Sequence, residues 1–279
     1  YTGIDIRAKH SWGNIAVKNV MREKKIYCGE EYMEVDIYNH TILTPLKRGR
    51  AKKKKESLPK QKNLNDKNAK RYCKLIVKTN FGEEDLHVIL TYAIEPETLE
   101  EAMKEVANYL RRVAHKRKKE GLPPLKYVLI TEGGDETRGK KKRFHHHIIM
   151  NGGLERDVVE NLWRRPKKKG QQKGDWIGYA NTKRLQPNDN GLEDLSGYLM
   201  KDPKGKKRWS CSQNLEKPEY RTNDHKYSRR QVERIVRDEI DNQRYWKKIY
   251  PKWDVTEAKA AYNDITGWAI YLKFRRARE

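Results

Sequence analysis

The stretch FHHHIIMN, residues 144–151, decides the fold. Three histidines precede three large apolar residues, a pattern typical of a strand held inside a sheet. Side chains alternate between the two faces of a strand, so His145 and His147 point to one face and His146 to the other. The apolar run at residues 148–150 fixes the strand in the sheet, and the histidine pair therefore has a rigid base.

Strands and helices alternate around this segment. The apolar patterns predict strands at residues 86–93, 126–132, 144–151 and 175–185, with helices from Thr98 (capped with Glu101 three residues later) to Gly121 and over residues 154–165. The order strand, helix, strand, strand, helix, strand is the split β-α-β, ferredoxin-like plan. We expect an α+β fold with an antiparallel sheet, helices on one face, and the other face open for an extended ligand.

The core is flanked by extensions. Before it, alternation over residues 26–38 predicts a strand or hairpin, residues 66–78 a helix, and the charged run 47–62 an exposed arm that contacts DNA or only solubilises the chain. After it, a helix capped by Asn190 should end near residue 202, because Pro203 follows. A further helix is expected at residues 228–246 and a strand at 265–275.

These elements suggest three parts. Residues 1–80 form an N-terminal extension with a hairpin and basic arm, residues 81–220 the core, and residues 221–279 a C-terminal helix and strand packing on the core.

Charge points to the class of partner. The chain carries a net charge of +24, from 63 Lys and Arg against 39 Asp and Glu, and such a field captures polyanions. No apolar run is long enough to span a bilayer, so nucleic acid is favoured over membrane. Three distant cysteines and the lack of a signal segment at the start of the sequence favour a reducing cytoplasm.

Glu132 ends the strand before the histidines. A hairpin between the two strands would bring Glu132 beside His145 and His147, and two imidazoles with one carboxylate bind Mn²⁺ or, less naturally, Mg²⁺. Asp135 and Glu136 are alternative ligands. The competing interpretation is a surface histidine run with a glutamate that only flanks a turn.

Tyr198 and Lys201 lie three residues apart on one face of the Asn190 helix. The Tyr198 phenol could attack phosphorus as a nucleophile, and Lys201 could stabilise the developing charge. Gly197 would let a DNA backbone come close. The competing interpretation is that Tyr198 is a packing residue.

Basic runs flank these positions in the sequence. Phosphate contacts from such runs position a strand without reading its sequence, and Trp209 could stack on a base or belong to the core. The expected DNA-binding residues are Lys140, Lys141, Lys142, Arg143, Arg164, Arg165, Lys206, Lys207, Arg208 and Trp209.

In its motifs and their order the chain resembles the HUH endonuclease superfamily, and within it the rolling-circle replication initiators of phages and plasmids. The motifs are ILTY at residues 89–92, HHHIIM at 145–150 and GYLMK at 197–201. Residues 28–38 and 202–218 also look like phage-type replication proteins. His146 departs from the pattern, because a bulky hydrophobic residue usually holds that position.

The resemblance implies an activity. Such proteins bind a single-stranded or hairpin origin, and a metal held by His145, His147 and an acid grips the scissile phosphate. Tyr198 would attack to give a 5′-phosphotyrosine and a free 3′-OH, and the reverse transfer would reseal the nick. Tyr179 lies off the helix, so the chain resembles single-tyrosine initiators. No GxxxxGK[ST] loop occurs, which implies a separate helicase of a bacterial host.

Other interpretations stay open. A non-catalytic RNA- or DNA-binding module shares the ferredoxin-like plan, although no aromatic-rich RNA-binding strand is present. A relaxase or transposase of the same superfamily, or a metal hydrolase that uses water, are further alternatives.

Overall fold

The computed structural model describes the backbone of residues 17–43, 59–134, 136–137, 140–199 and 209–278. Side chains are described for the same residues except positions 17, 43, 59–62, 136–137, 140–141 and 198. The charged run expected to form an exposed arm lies largely outside this part of the chain.

Within the described residues, two long strand hairpins and a central α/β segment make up the secondary structure. The strands are β1 (Val17–Cys28), β2 (Tyr32–Leu43), β3 (Leu86–Thr91), β4 (Tyr127–Glu132), β5 (Glu136–Thr137), β6 (Lys140–Lys141), β7 (His145–Met150), β8 (Ala180–Arg184), β9 (Ser210–Cys211), β10 (Glu219–Tyr227), β11 (Trp253–Asn263) and β12 (Gly267–Arg276). The helices are α1 (Pro59–Asn80), α2 (Leu99–Lys119), α3 (Arg156–Asn161), α4 (Glu193–Leu199), α5 (Arg229–Arg234) and α6 (Gln243–Ile249), with a π-helical turn at Ile235–Glu239.

The central sheet has the strand order β8-β3-β7-β4-β9, with every neighbouring pair antiparallel. Its first four strands, taken in chain order β3, β4, β7, β8, follow the order fourth, first, third, second, with α2 and α3 as the connections. This is the split β-α-β plan. The α+β, ferredoxin-like class predicted from the sequence is therefore confirmed.

The two faces of the central sheet are covered differently. Helices α2 and α3 pack on one face over a core that includes Val88, Ile148 and Trp163. Helices α1 and α4 pack on part of the other face, where Val77 and Leu199 belong to the same core as Ile149. The face expected to be fully open is thus covered at one end, and its open end carries the histidine pair.

A second antiparallel sheet has the order β10-β1-β2-β12-β11. Its strands come from both sides of the central segment, because β1 pairs with β10 and β2 with β12. Helices α5 and α6 cover one face through a core that includes Val35, Trp246 and Ile270. The division of the chain at residues 80 and 220 stays a prediction, but segments on either side of it share this sheet.

An ion-pair cluster joins the two sheets. Glu193, at the start of α4, lies 3.1 Å from Nζ of Lys74, 3.7 Å from Nζ of Lys78 and 2.8 Å from Nζ of Lys273 on β12. Burial alone would raise the pKa of Glu193, but the contacts with these lysines outweigh it and lower the pKa to about 2. The carboxylate is therefore held ionised at the junction of α1, α4 and β12.

Two helix predictions need correction. Helix α4 begins at Glu193, so Asn190 is not its cap; the Asn190 side chain instead accepts a hydrogen bond from Oγ1 of Thr256, 2.7 Å away. The helix expected at residues 228–246 is interrupted, because α5 runs into the π-helical turn and α6 restarts only after its own cap at Asn242.

No helix among the described residues is both long and apolar enough to cross a membrane.

Candidate metal centre

Glu132, His145 and His147 come together on the open end of the central sheet. Strands β4 and β7 are neighbours, with Glu132 directly opposite His145 and Ile130 opposite His147. One ligand atom of each of the three residues lies within 4.8 Å of the others. The grouping expected from the HxH spacing and the preceding glutamate is present, and this group could bind a metal ion.

The ring of His145 is oriented by its own backbone. Its Nδ1 lies 3.0 Å from the carbonyl oxygen of Arg143, and a carbonyl only accepts, so Nδ1 carries the proton. Nε2 is then the free nitrogen of the neutral ring, and it lies 3.5 Å from Oε2 of Glu132. His145 therefore offers Nε2 as its ligand atom.

His147 has a neighbour that sequence reasoning missed. Its Nδ1 lies 3.2 Å from Nε2 of His87 on β3, and the two rings are nearly parallel. If the Nδ1–H of His147 donates to His87, then Nε2 of His147 is left with its lone pair for a metal. The signal available in the sequence is a histidine inside the otherwise apolar strand LHVILT.

Electrostatics keep the carboxylate charged. Burial would raise the pKa of Glu132, but contacts with His145 and with Lys142, whose Nζ lies 2.6 Å away, lower the pKa to about 2. The same carboxylate raises the pKa of His145. The group thus attracts positive charge, which is the property that a cation site requires.

Burial has the opposite effect on the other imidazoles. It lowers the pKa of His147 to about 4 and that of His87 to about 4. Both rings are therefore neutral near pH 7, and a neutral imidazole is the form that binds metals. Two imidazole nitrogens and one carboxylate suit Mn²⁺ and other first-row cations better than Mg²⁺, which prefers oxygen ligands. The residues present thus fit a divalent metal.

His146 faces the opposite side of the sheet. It is fully buried, with Nε2 2.7 Å from Oη of Tyr92 and Nδ1 2.8 Å from Oγ1 of Thr131. Burial lowers the pKa of His146 to about 3. The departure from the family pattern is thus a neutral, hydrogen-bonded core residue, which leaves the choice of His145 and His147 as ligands unaffected.

Tyr198 belongs to α4, the helix that packs on the metal-bearing face, but its side chain is outside the description, and Lys201 is outside the described residues altogether. Gly197 faces α1: a Cβ there would lie 3.2 Å from Cε of Lys74. The absent side chain at residue 197 therefore admits a lysine of α1.

The basic residues expected to bind DNA fall into several environments. Arg143 donates to the carbonyl oxygens of Tyr92 and Ala93, and Arg164 stacks on Trp176 with its guanidinium carbon 3.4 Å from the ring centre. Arg165 and Lys142 are exposed. Side chains of Lys140, Lys141, Asp135 and Glu136, and the residues Lys206, Lys207 and Arg208, lie outside the description.

Trp209 packs against the protein. It is half-buried, its ring lies 6.0 Å from that of Tyr72, and its Nε1 donates to the carbonyl oxygen of Ala69 at 3.3 Å. Of the two roles that the sequence left open, these contacts favour packing on α1.

A histidine–carboxylate group on a ferredoxin-like sheet describes a class of metal-binding α+β domain. Residues 85–203 match the model of a protein family described as replication-associated protein ORF2. The match spans β3 to α4 and includes all three residues of the metal centre, and it covers less than half of the chain. The chain is thus similar to replication-associated proteins, a result consistent with a rolling-circle replication initiator. Neither a curated protein nor a solved structure matches the chain significantly.

Proposed function

We propose that the protein is an HUH-type rolling-circle replication initiator that nicks single-stranded or hairpin origin DNA. It would work in the cytoplasm of a bacterial host together with a host helicase. The observation that carries the proposal is the Glu132, His145 and His147 group, which lies inside the segment similar to replication-associated proteins.

Each side chain has a part in this proposal. Glu132, His145 and His147 would hold a divalent cation, Mn²⁺ or Mg²⁺, which when bound supplies Lewis-acid polarisation of the scissile phosphate. Because His87 and the carbonyl of Arg143 orient the two imidazoles, the ligand set is preorganised for binding.

Tyr198 is the proposed nucleophile. Its phenol oxygen would bond to phosphorus as the bond from phosphorus to the 3′ oxygen breaks, which gives a 5′-phosphotyrosine and, after protonation, a free 3′-OH. A free tyrosine has a pKa of about 10, so the phenol must lose its proton during attack, and Lys201 would stabilise that charge. The position of α4 on the metal-bearing face supports this assignment.

A covalent-adduct assay tests the proposal. The full-length protein is incubated with Mn²⁺ and a library of single-stranded oligonucleotides, and adducts that survive denaturing electrophoresis are sequenced. We expect adducts with the wild type, none with Tyr198→Phe, and none when a chelator removes the metal. Tyr262→Phe, at an exposed position on β11, is the matched control.

Two results would contradict parts of the proposal. An adduct formed by Tyr198→Phe would show another nucleophile. The lack of any adduct with the wild type, together with retained DNA binding, would favour a non-catalytic binding module. A relaxase or transposase would be separated from an initiator by whether the nicked product primes DNA synthesis.

A further inference from the structure

The segment between α3 and β8 combines positive charge with exposed aromatic rings. Residues 164–173 contain six lysines and arginines, and all but Arg164 are exposed. Two aromatic side chains follow: Trp176 is 48% exposed and Tyr179 is 67% exposed. Exposed rings next to basic residues are the composition of surfaces that bind single-stranded nucleic acid, where bases stack on the rings.

Tyr179 lies in line with the metal centre. Its carbonyl oxygen accepts a hydrogen bond from the backbone N–H of Thr91 at 2.9 Å. Thr91 pairs with His145 on β7, and His145 pairs with Glu132 on β4. Tyr179, Thr91, His145 and Glu132 therefore form one row across four adjacent strands.

The Tyr179 ring is on the metal-bearing face. The next residue, Ala180, is buried in the core beneath α2 and α3, and successive side chains point to opposite faces. Nδ2 of Asn181 donates to Oη of Tyr179 at 3.3 Å, and Asn181 shares a row with Ile89 and His147. The phenol thus lies over the same face as the two proposed histidine ligands.

Gly178 explains how an exposed ring comes to be there. A Cβ at this position would lie 2.1 Å from the carbonyl oxygen of Thr91, so only glycine allows the segment to pass so close to β3. The chain bends at Gly178, and Ile177 before it is buried in the α2 and α3 core. The bend therefore turns Tyr179 to the opposite face from Ile177.

The spacing suits a base beside the scissile phosphate. Adjacent strands lie about 4.8 Å apart, so the backbones of Tyr179 and His145, two strands apart, are separated by about 10 Å. A phosphate at the metal centre would have its neighbouring nucleotide over this part of the sheet. The half-buried residues Thr91 and Asn181 leave the intervening face without a bulky side chain, since both are short.

We propose that Tyr179 is a base-stacking residue that positions the single strand at the metal centre, with the basic residues after α3 holding the phosphates that follow. This rests on the proposed function for the nature of the ligand. Tyr179 acts through its ring, and its hydroxyl is not required.

Binding without metal tests the stacking separately from the chemistry. Affinity of the full-length protein for a fluorescent single-stranded oligonucleotide is measured in a chelator, where metal-dependent cleavage is absent. We expect Tyr179→Ala to bind about tenfold more weakly and Tyr179→Phe to bind within about twofold of the wild type. Tyr262→Ala is the matched control, because Tyr262 is 60% exposed on β11, in the other sheet, and it should leave affinity unchanged.

A spectroscopic readout locates the contact. An oligonucleotide with one 2-aminopurine, moved along the sequence, should show quenching at one position with the wild type and Tyr179→Phe, and none there with Tyr179→Ala. Thermal melting checks that the variants are folded. Unchanged affinity of Tyr179→Ala would overturn the inference, as would a Tyr179→Phe defect as large as that of Tyr179→Ala.

The outcomes separate the two proposals. If no covalent adduct forms but Tyr179→Ala weakens binding and removes the quenching, the nicking proposal fails and the stacking inference stands. If adducts form and Tyr179→Ala binds like the wild type, the stacking inference alone fails.

Discussion

The rings of His87 and His147 lie side by side on neighbouring strands, with Nε2 of His87 3.2 Å from Nδ1 of His147 and the ring planes 20° apart. The residues are diagonal neighbours, because His87 pairs with Ile149 and His147 with Ile89. A hydrogen bond to the outer nitrogen of a histidine ligand fixes its tautomer and orientation. His87 therefore supports His147 without itself belonging to the three-residue group.

Removing this support should weaken metal binding. We expect His87→Ala to lower Mn²⁺ affinity about tenfold to a hundredfold, because His147 loses its orienting partner, and His87→Gln to recover part of it through its side-chain oxygen. Isothermal titration calorimetry measures the affinity. His115→Ala, at an exposed position on α2, is the control, and equal affinity of His87→Ala and wild type would contradict the prediction.

Metal binding should depend on pH through His145. Its pKa is raised by Glu132 above the ordinary value of 6.5, whereas those of His147 and Glu132 are lowered to about 4 and about 2. Only His145 must then lose a proton to bind metal near neutral pH. Below the pKa of His145, affinity should fall about tenfold for each pH unit. Calorimetry in buffers of different ionisation enthalpy should find about one proton released per ion near pH 6, and release of none or of two would be inconsistent with this account.

Lys142 should compete with the metal. Its Nζ lies 2.6 Å from Oε2 of Glu132, where a cation would bind. We expect Lys142→Met to bind Mn²⁺ several-fold more tightly, and to bind single-stranded DNA more weakly with a smaller dependence on salt, because one phosphate contact is lost. Lys118→Met, at an exposed position on α2, controls for the loss of one charge. Weaker metal binding by Lys142→Met would disprove the competition.

His146 should matter for stability and not for the metal. Replacement by Leu removes its hydrogen bonds with Tyr92 and Thr131, at a cost of about 1–2 kcal/mol in the free energy of unfolding. Mn²⁺ affinity should stay within about twofold of the wild type, since the side chain lies on the other face. Urea denaturation and calorimetry measure the two effects, and His147→Ala should show the reverse pattern: lost metal binding with a smaller change in stability.

Glu193 should contribute stability that disappears in acid. Because its folded-state pKa is about 2 and its ordinary value is 4.5, the contribution is full above pH 4.5 and is lost as the pH falls toward 2. Glu193→Gln should lower the free energy of unfolding at neutral pH by about 1–3 kcal/mol. Urea denaturation should show this difference shrinking through the acid range. Glu233→Gln, at an exposed position on α5, should differ little from the wild type at either pH.

Local patterns were sufficient for the central sheet. The apolar runs predicted β3, β4 and β7, the capping residue Thr98 predicted the start of α2, and the alternation of side chains predicted that His145 and His147 share a face. These features depend on neighbouring residues alone. The meeting of Glu132 with the histidines followed from one further step, the pairing of consecutive strands.

Features that depend on distant contacts were not predictable in this way. Strand β10 has the sequence EYRTNDHKY, in which eight of nine residues are not buried, because it is an edge strand with little apolar surface to pattern. The pairing of β2 with β12 joins segments from opposite ends of the described chain. The His87 contact depends on strand register, which no short pattern specifies. The roles of Tyr198 and Lys201 stay predictions.

The arrangement of the two sheets has a consequence for how a newly made chain acquires its shape. All strands of the metal-bearing sheet lie between residues 86 and 211, so a ribosome that has released this stretch has delivered every strand that the sheet needs. The β1–β2 hairpin, although translated first, must wait for β10 and β12 before its edges are occupied. Until then it presents unpaired strand edges, and the nascent protein is most exposed to aggregation in the interval before its final strands emerge.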